Sequence, residues 1–136
     1  VPFGEAESGL KSALNSTDSW KRYWGLIVCS THGKSAMGFV EKAKELAADD
    51  AELLVRARAA EFLGLIGAAH PQAVLETLLL KSESVVEANL ILNTVVLLKD
   101  GKPGYEFDLP RGRIVGDLEG SKKDRYVSAR LDYVNQ

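Results

Sequence analysis

Apolar residues recur along this chain at intervals of three and four, the spacing of helices buried along one side. Ala6, Leu10, Ala13 and Leu14 place the first stripe on a helix over residues 5–15. The polar run Asn15-Ser16-Thr17-Asp18 stops it, and Asp18 or Ser19 supplies a side-chain oxygen to cap the next helix. There Trp20, Tyr23, Trp24, Ile27 and Val28 share one stripe, whose periodicity favours a core position for all three aromatic residues; the alternative is an aromatic and basic docking patch with Lys21 and Arg22 beside them. Gly33 then supplies a left-handed turn at the helix end.

The scheme repeats. Ala36, Val40, Ala43 and Ala47, widened by Phe39 and Leu46, predict a helix that stops at Asp49-Asp50. Val55, Ala59, Phe62, Leu63 and Ile66 form its partner, closed by Gly67. Arg22 and Arg56 are 34 positions apart, as are Gly33 and Gly67 (56 − 22 and 67 − 33). A period of this length marks an α-helical solenoid, built by stacking helical pairs. A third pair opens at His70-Pro71, with Pro71 at the first helical position, where its missing donor costs nothing. Val74, Leu75, Leu78 and Leu79 face inward, Ser84 caps the last helix, and that helix reaches Leu98. The expected architecture is all-α: an α-α superhelix of three helical pairs over 1–100, divided at 5–33, 34–67 and 68–100. A non-repetitive six-helix bundle is the alternative.

Beyond the third pair the texture changes. Five of the chain's 12 glycines and two of its 4 prolines fall within residues 101–120, which predicts an irregular connector. Ser121-Lys122-Lys123-Asp124 reads as a capping box for a terminal helix with Val127, Leu131 and Val134 inward. Residues 101–136 are thus read as a connector plus a helix that covers an exposed end of the stack.

Composition narrows function by exclusion. A net charge of −2 opposes nucleic-acid binding, because neutralising phosphates takes a concentrated excess of Lys and Arg. No run approaches the ~20 uncharged apolar residues of a membrane span. The most apolar stretch, 85–98, is broken by Glu87, Asn89 and Asn93. The single cysteine, Cys29, cannot form an intrachain disulfide. The first residue is Val1, and the chain is read as a piece of a longer polypeptide.

Chemistry is sparse. Cys29-Ser30-Thr31-His32 puts a thiol, two hydroxyls and an imidazole in one turn, but neither an orienting third group nor an oxyanion site is in view. Cys29 reads as a small hydrophobe and His32 as a favourable charge at a helix C-terminus. Two histidines and one cysteine cannot complete a zinc cage, and Asp49-Asp50 with Glu52 reads as capping rather than calcium binding. Gly33-Lys34-Ser35 lacks the first glycine of a phosphate loop. No catalytic, cofactor or metal residue is therefore assigned. The candidates for an interaction surface are Arg22, Arg58, Tyr105, Arg111 and Arg113, with Phe107 and Asp117 in the same connector and Arg22 expected to reach a solvent-facing acid or a partner.

Asp18-Ser19-Trp20-Lys21-Arg22-Tyr23-Trp24-Gly25-Leu26, closing at Gly33, resembles the Arg-Tyr-Trp turn of HEAT-like repeats in the C-terminal extensions of bacterial sulfatases of planctomycete type. Val55-Arg56, Ala59-Ala60 and Leu63-Gly64 are similar to the general HEAT signature. The likeness covers residues 5–100. It implies a HEAT/armadillo-like, non-catalytic accessory domain of an exported, periplasmic or secreted sulfuric ester hydrolase. In that family an upstream α/β domain cleaves the ester with calcium and a formylglycine made from a Cys/Ser-x-Pro-x-Arg motif. Cys29 is followed by Ser30, Thr31 and His32, so no catalytic residue carries over. The implied partner is that upstream domain. The other class is a free-standing HEAT scaffold that binds a protein, and an enzyme in its own right, such as a HEAT-type glycosylase, is opposed by the acidic balance.

Overall fold

Helix-ending residues act where the pattern places them. The structure is a computed structural model that describes residues 3–117 and 125–136, and all regular structure among those residues is helical. The chain forms two compact units, Val1–Pro71 and Gln72–Gln136.

In the first unit, α1 (Phe3–Leu14) buries Leu10 and Leu14. Asp18 caps α2 (Ser19–His32), accepting from the Trp20 amide at 2.9 Å. Gly33 closes α2 with φ +59°, and its N–H donates to the Cys29 carbonyl. The next helix starts later than the pattern predicts. Gly33–Phe39 winds as a 3₁₀ segment before α3 (Val40–Asp49) begins. Two glycines within seven residues, Gly33 and Gly38, disfavour α-helix there. α4 (Leu53–Leu65) packs on both α2 and α3. Its end is a Schellman turn: Ala68 N–H donates to the Leu63 carbonyl at 2.9 Å, Gly67 N–H to Gly64 at 3.2 Å, and Gly67 has φ +72°.

The core of this unit joins Leu14, Leu26 and Cys29 to Ala43, Val55, Ala59 and Phe62. The expectation that Trp20 and Trp24 lie inside is overturned, since they are 61% and 59% exposed. Tyr23 is half-buried. The reason is the α1–α2 crossing. A Cβ on Gly25 would stand 3.1 Å from Leu14 Cδ2 and 3.2 Å from Ala13 Cβ. Helices this close leave no room between them for an indole. The buried stripe of α2 therefore passes through Gly25, Leu26 and Cys29, and the rings turn outward.

In the second unit, α5 (Gln72–Lys81) follows Pro71 directly and buries Leu75, Leu78 and Leu79. Ser84 caps α6 (Val85–Asp100) through the Glu87 amide at 3.1 Å, while the Glu87 carboxylate accepts from Glu83 N–H at 2.9 Å. α6 packs on α5 and on α8 (Arg125–Val134), whose Val127, Leu131 and Val134 are buried as the spacing predicts. The predicted capping box at 121–124 lies outside the described residues. Residues 101–110 are irregular as expected, but Arg111–Asp117 forms a short helix, α7. Pro110 gives it a start, with its carbonyl accepting from Ile114 N–H at 3.0 Å, and buried Ile114 anchors it. Asn135 clasps the irregular strap from both sides. It accepts from Leu109 N–H at 2.7 Å and donates to the Leu109 carbonyl at 3.0 Å. None of the helices among the described residues is long and apolar enough to cross a membrane.

Two substitutions test this packing by urea unfolding. Leu26→Ala, at a fully buried site, is expected to cost about 2–5 kcal/mol. Gly67→Ala forces an alanine into left-handed backbone and is expected to cost about 1 kcal/mol with the core intact.

Candidate functional site

Arg22 does not reach a solvent-facing acid. Its Nε donates to Asp50 Oδ2 at 2.7 Å and Nη2 to Oδ1 at 3.1 Å, a two-pronged pair. The Asp50 side chain is only 2% exposed, and Oδ1 also accepts from the Glu52 amide at 2.9 Å, shaping the approach to α4. The third arm of Arg22, Nη1, donates to the Ser16 carbonyl at 3.0 Å beyond the end of α1. Hydrogen bonding to Asp50 raises the Arg22 pKa, and the charges of Asp50, Asp18 and Glu52 add to that against a smaller opposing effect of burial. Arg22 is thus a structural tie between helical pairs. Arg56, 34 positions later, also donates to a carbonyl near the end of the helix before it, Ala47 at 2.9 Å.

Arg58 is bound on three sides. Nε and Nη2 donate to the Tyr23 hydroxyl at 3.2 and 3.1 Å, Nη1 donates to both Glu61 oxygens at 3.0 and 3.2 Å, and the guanidinium lies 5.2 Å from the Tyr23 ring centre. Burial by itself pulls its pKa down. The Glu61 charge and the Tyr23 hydroxyl outweigh burial and raise it. Tyr23 in turn meets Trp20 and Trp24 edge-on, with centroids 5.5 and 5.8 Å away. The arginine holds the tyrosine, and the tyrosine sets the two exposed indoles.

Those indoles wall an open groove of about 430 Å³ between α1 and α2. Its floor is small: Ala6, Gly9, Ala13 and Gly25, with Leu10 and Val28 beside them. Lys21 contributes the one charged side chain among the lining residues. Sequence reasoning favoured core over a docking patch for the aromatic stripe and missed the groove. The signal that marks it is the run of small residues Ala6, Gly9 and Ala13 on the face of α1 beside Trp20 and Trp24.

The remaining candidates lie in the second unit. Tyr105 is half-buried in the irregular strap, where its amide donates to the Leu98 carbonyl at 3.0 Å. Arg111 pairs with Asp132 at 2.6 Å in the open, a contact worth ~1 kcal/mol or less. Arg113 is exposed on α7, and the Asp117 side chain is outside the described residues. Arg130 belongs with them, though the sequence does not single it out. It donates to Asn93 Oδ1 at 2.7 Å and the Asn89 carbonyl at 3.0 Å, tying α8 to α6, and burial lowers its pKa.

The Cys29–His32 turn holds no nucleophile machinery. Cys29 is fully buried, and loss of solvation pushes its thiol up to about 11. Ser30 Oγ is buried without a hydrogen-bond partner to activate it, Thr31 Oγ1 donates to the Ile27 carbonyl at 3.0 Å, and the His32 ring meets Phe3 edge-on. No group of three His, Cys, Asp or Glu side chains among the described residues is placed to hold a metal ion. The chain matches no protein-family model, no curated protein and no solved structure.

Asp50→Ala leaves the Arg22 guanidinium half-shielded and unpaired and is expected to cost roughly 2 kcal/mol in chemical unfolding, a buried-pair loss reduced for the partial exposure of Arg22. Cys29 titrates higher folded, about 11, than at its ordinary 9.0. Its contribution to stability is therefore complete below pH 9 and fades as pH climbs towards 11. Native protein at pH 8 is expected to react with a thiol reagent only as fast as it opens, and Cys29→Ser is expected to remove that slow reaction.

Proposed function

We propose that this chain is a non-catalytic HEAT-like interaction domain of the α-α superhelix type, the C-terminal part of a sulfatase whose reactive centre lies in an upstream domain. The observation that carries the repeat reading is the equivalence of α2 and α4. Asp18 and Glu52 are the N-cap residues of the two helices, and Gly33 and Gly67 take positive φ at their ends. Arg22 and Arg56 sit at the same place in each helix and reach back to a carbonyl at the end of the preceding one. Two helical pairs built to one plan are what a stacked repeat requires. The sulfatase assignment rests on the Arg22-Tyr23-Trp24 turn, and with it go calcium and formylglycine in the parent enzyme and a periplasmic or secreted location.

A free-standing protein-binding scaffold is the second reading, favoured by the exposed Trp20 and Trp24. The two separate on the coding sequence. A Cys/Ser-x-Pro-x-Arg motif within a few hundred codons upstream supports the sulfatase, and a start codon at Val1 defeats it. The purified 136-residue chain is expected to give no aryl sulfate turnover. Saturable activity that survives repurification and the loss of contaminants defeats the non-catalytic reading.

A further inference from the structure

The groove between α1 and α2 is the repeat-equivalent of a face that is already occupied one repeat later. On α4, Leu54 and Val55 line the contact with α2, and Arg58 reaches across to Tyr23. Subtracting the 34-residue period from Leu54, Val55 and Arg58 gives Trp20, Lys21 and Trp24, which wall the groove. The same subtraction takes Val40, Ala43 and Ala47 of α3 to Ala6, Gly9 and Ala13, the groove floor. Ala43 and Ala47 are buried in the core of the first unit, while Ala6 is half-buried and Gly9 exposed.

We propose that the groove seats another helical pair, stacked ahead of α1 in the same polypeptide as α3 and α4 are stacked after α2. This rests on the repeat reading above. The intramolecular source rests on analogy with the next repeat. There α3 and α4, joined to α2 through Gly33–Phe39 alone, bury Ala43, Ala47, Val55 and Ala59 in one core with Leu14 and Leu26 of the same chain. So short a connection holds consecutive pairs at high effective concentration. The occupant presents a narrow aliphatic face to the small-residue floor, and its second helix lies against Trp20 and Trp24. Covering the two indoles removes the largest exposed apolar side chains of the first unit from water.

The test uses the full chain extended by a copy of residues 1–34 joined ahead of Val1, with Trp20→Phe and Trp24→Phe in the added copy, so that the groove indoles are the sole tryptophans. Their emission is expected to shift to shorter wavelength and their quenching by iodide to fall, against the unextended chain. Gly9→Glu in the original copy is expected to reverse both. That change puts a charge in the groove, while a Cβ at Gly9 meets nothing within 4 Å and the helix loses a glycine, so α1 persists. Unchanged emission with the added residues helical by circular dichroism overturns the proposal. So does concentration-dependent burial of the indoles in the unextended chain, which identifies a second copy as the occupant. Unchanged emission beside an upstream sulfatase motif defeats the stacking alone, whereas a start codon at Val1 defeats the intramolecular source and the sulfatase assignment together.

Discussion

The first unit is organised by one steric constraint, the close crossing of α1 and α2 at Gly25. Ala13 and Leu14 lie so near that even a methyl group at position 25 has to displace them by a few tenths of an ångström. Once the helices approach this far, the rotation of α2 is fixed. Leu26 and Cys29 turn into the core, Arg22 turns towards Asp50, and Trp20 and Trp24 have only the outer face left. Core, ion pair and groove are three consequences of that one rotation.

The polar ties follow the same geometry. The Asp50 side chain is buried, and three N–H donors surround it, two from Arg22 and one from Glu52. A carboxylate removed from water in this way is costly unless paired, so the tie fixes position more than it adds net stability. Arg58 performs the matching task higher on α4. It spans Glu61 and Tyr23, and Tyr23 passes that restraint to the indoles on either side. A rigid aromatic wall above a floor of alanine and glycine suits a helix as occupant, since small residues let backbones come close and rings supply contact area at little entropic cost.

The second unit is held by different means. α6 carries an almost wholly apolar interior face, and α8 is pinned to it by Arg130 on Asn89 and Asn93 and by Lys99, which sits over the Tyr133 ring and donates to the Gln136 carbonyl at 3.1 Å. Tyr133 donates to Asp100, and this hydrogen bond, more than the charge, raises the tyrosine pKa. The glycine- and proline-bearing strap is ordered by the Asn135 clasp and by buried Phe107 and Leu109. Irregular backbone is stable there because side chains take over the hydrogen bonding that a helix provides for itself.

Helix ends and one-sided stripes were legible in the sequence because they are local. The cap at Asp18, the cap at Ser84, the turns at Gly33 and Gly67, and the inward set Val127, Leu131 and Val134 each follow from residues within a turn or two. Outcomes set by packing were not legible, and two in the first unit show why. An apolar stripe containing Trp20, Tyr23 and Trp24 says that α2 has a greasy side, but which of two adjoining faces is buried depends on how near α1 comes, and that distance is a property of the pair. Likewise Arg22 advertises a charge, while its partner lies 28 positions away and becomes a neighbour only when α4 is laid beside α2. Local order is written in short-range chemistry, and the choice of face and of ion partner is made by packing, where volume and distance between elements decide.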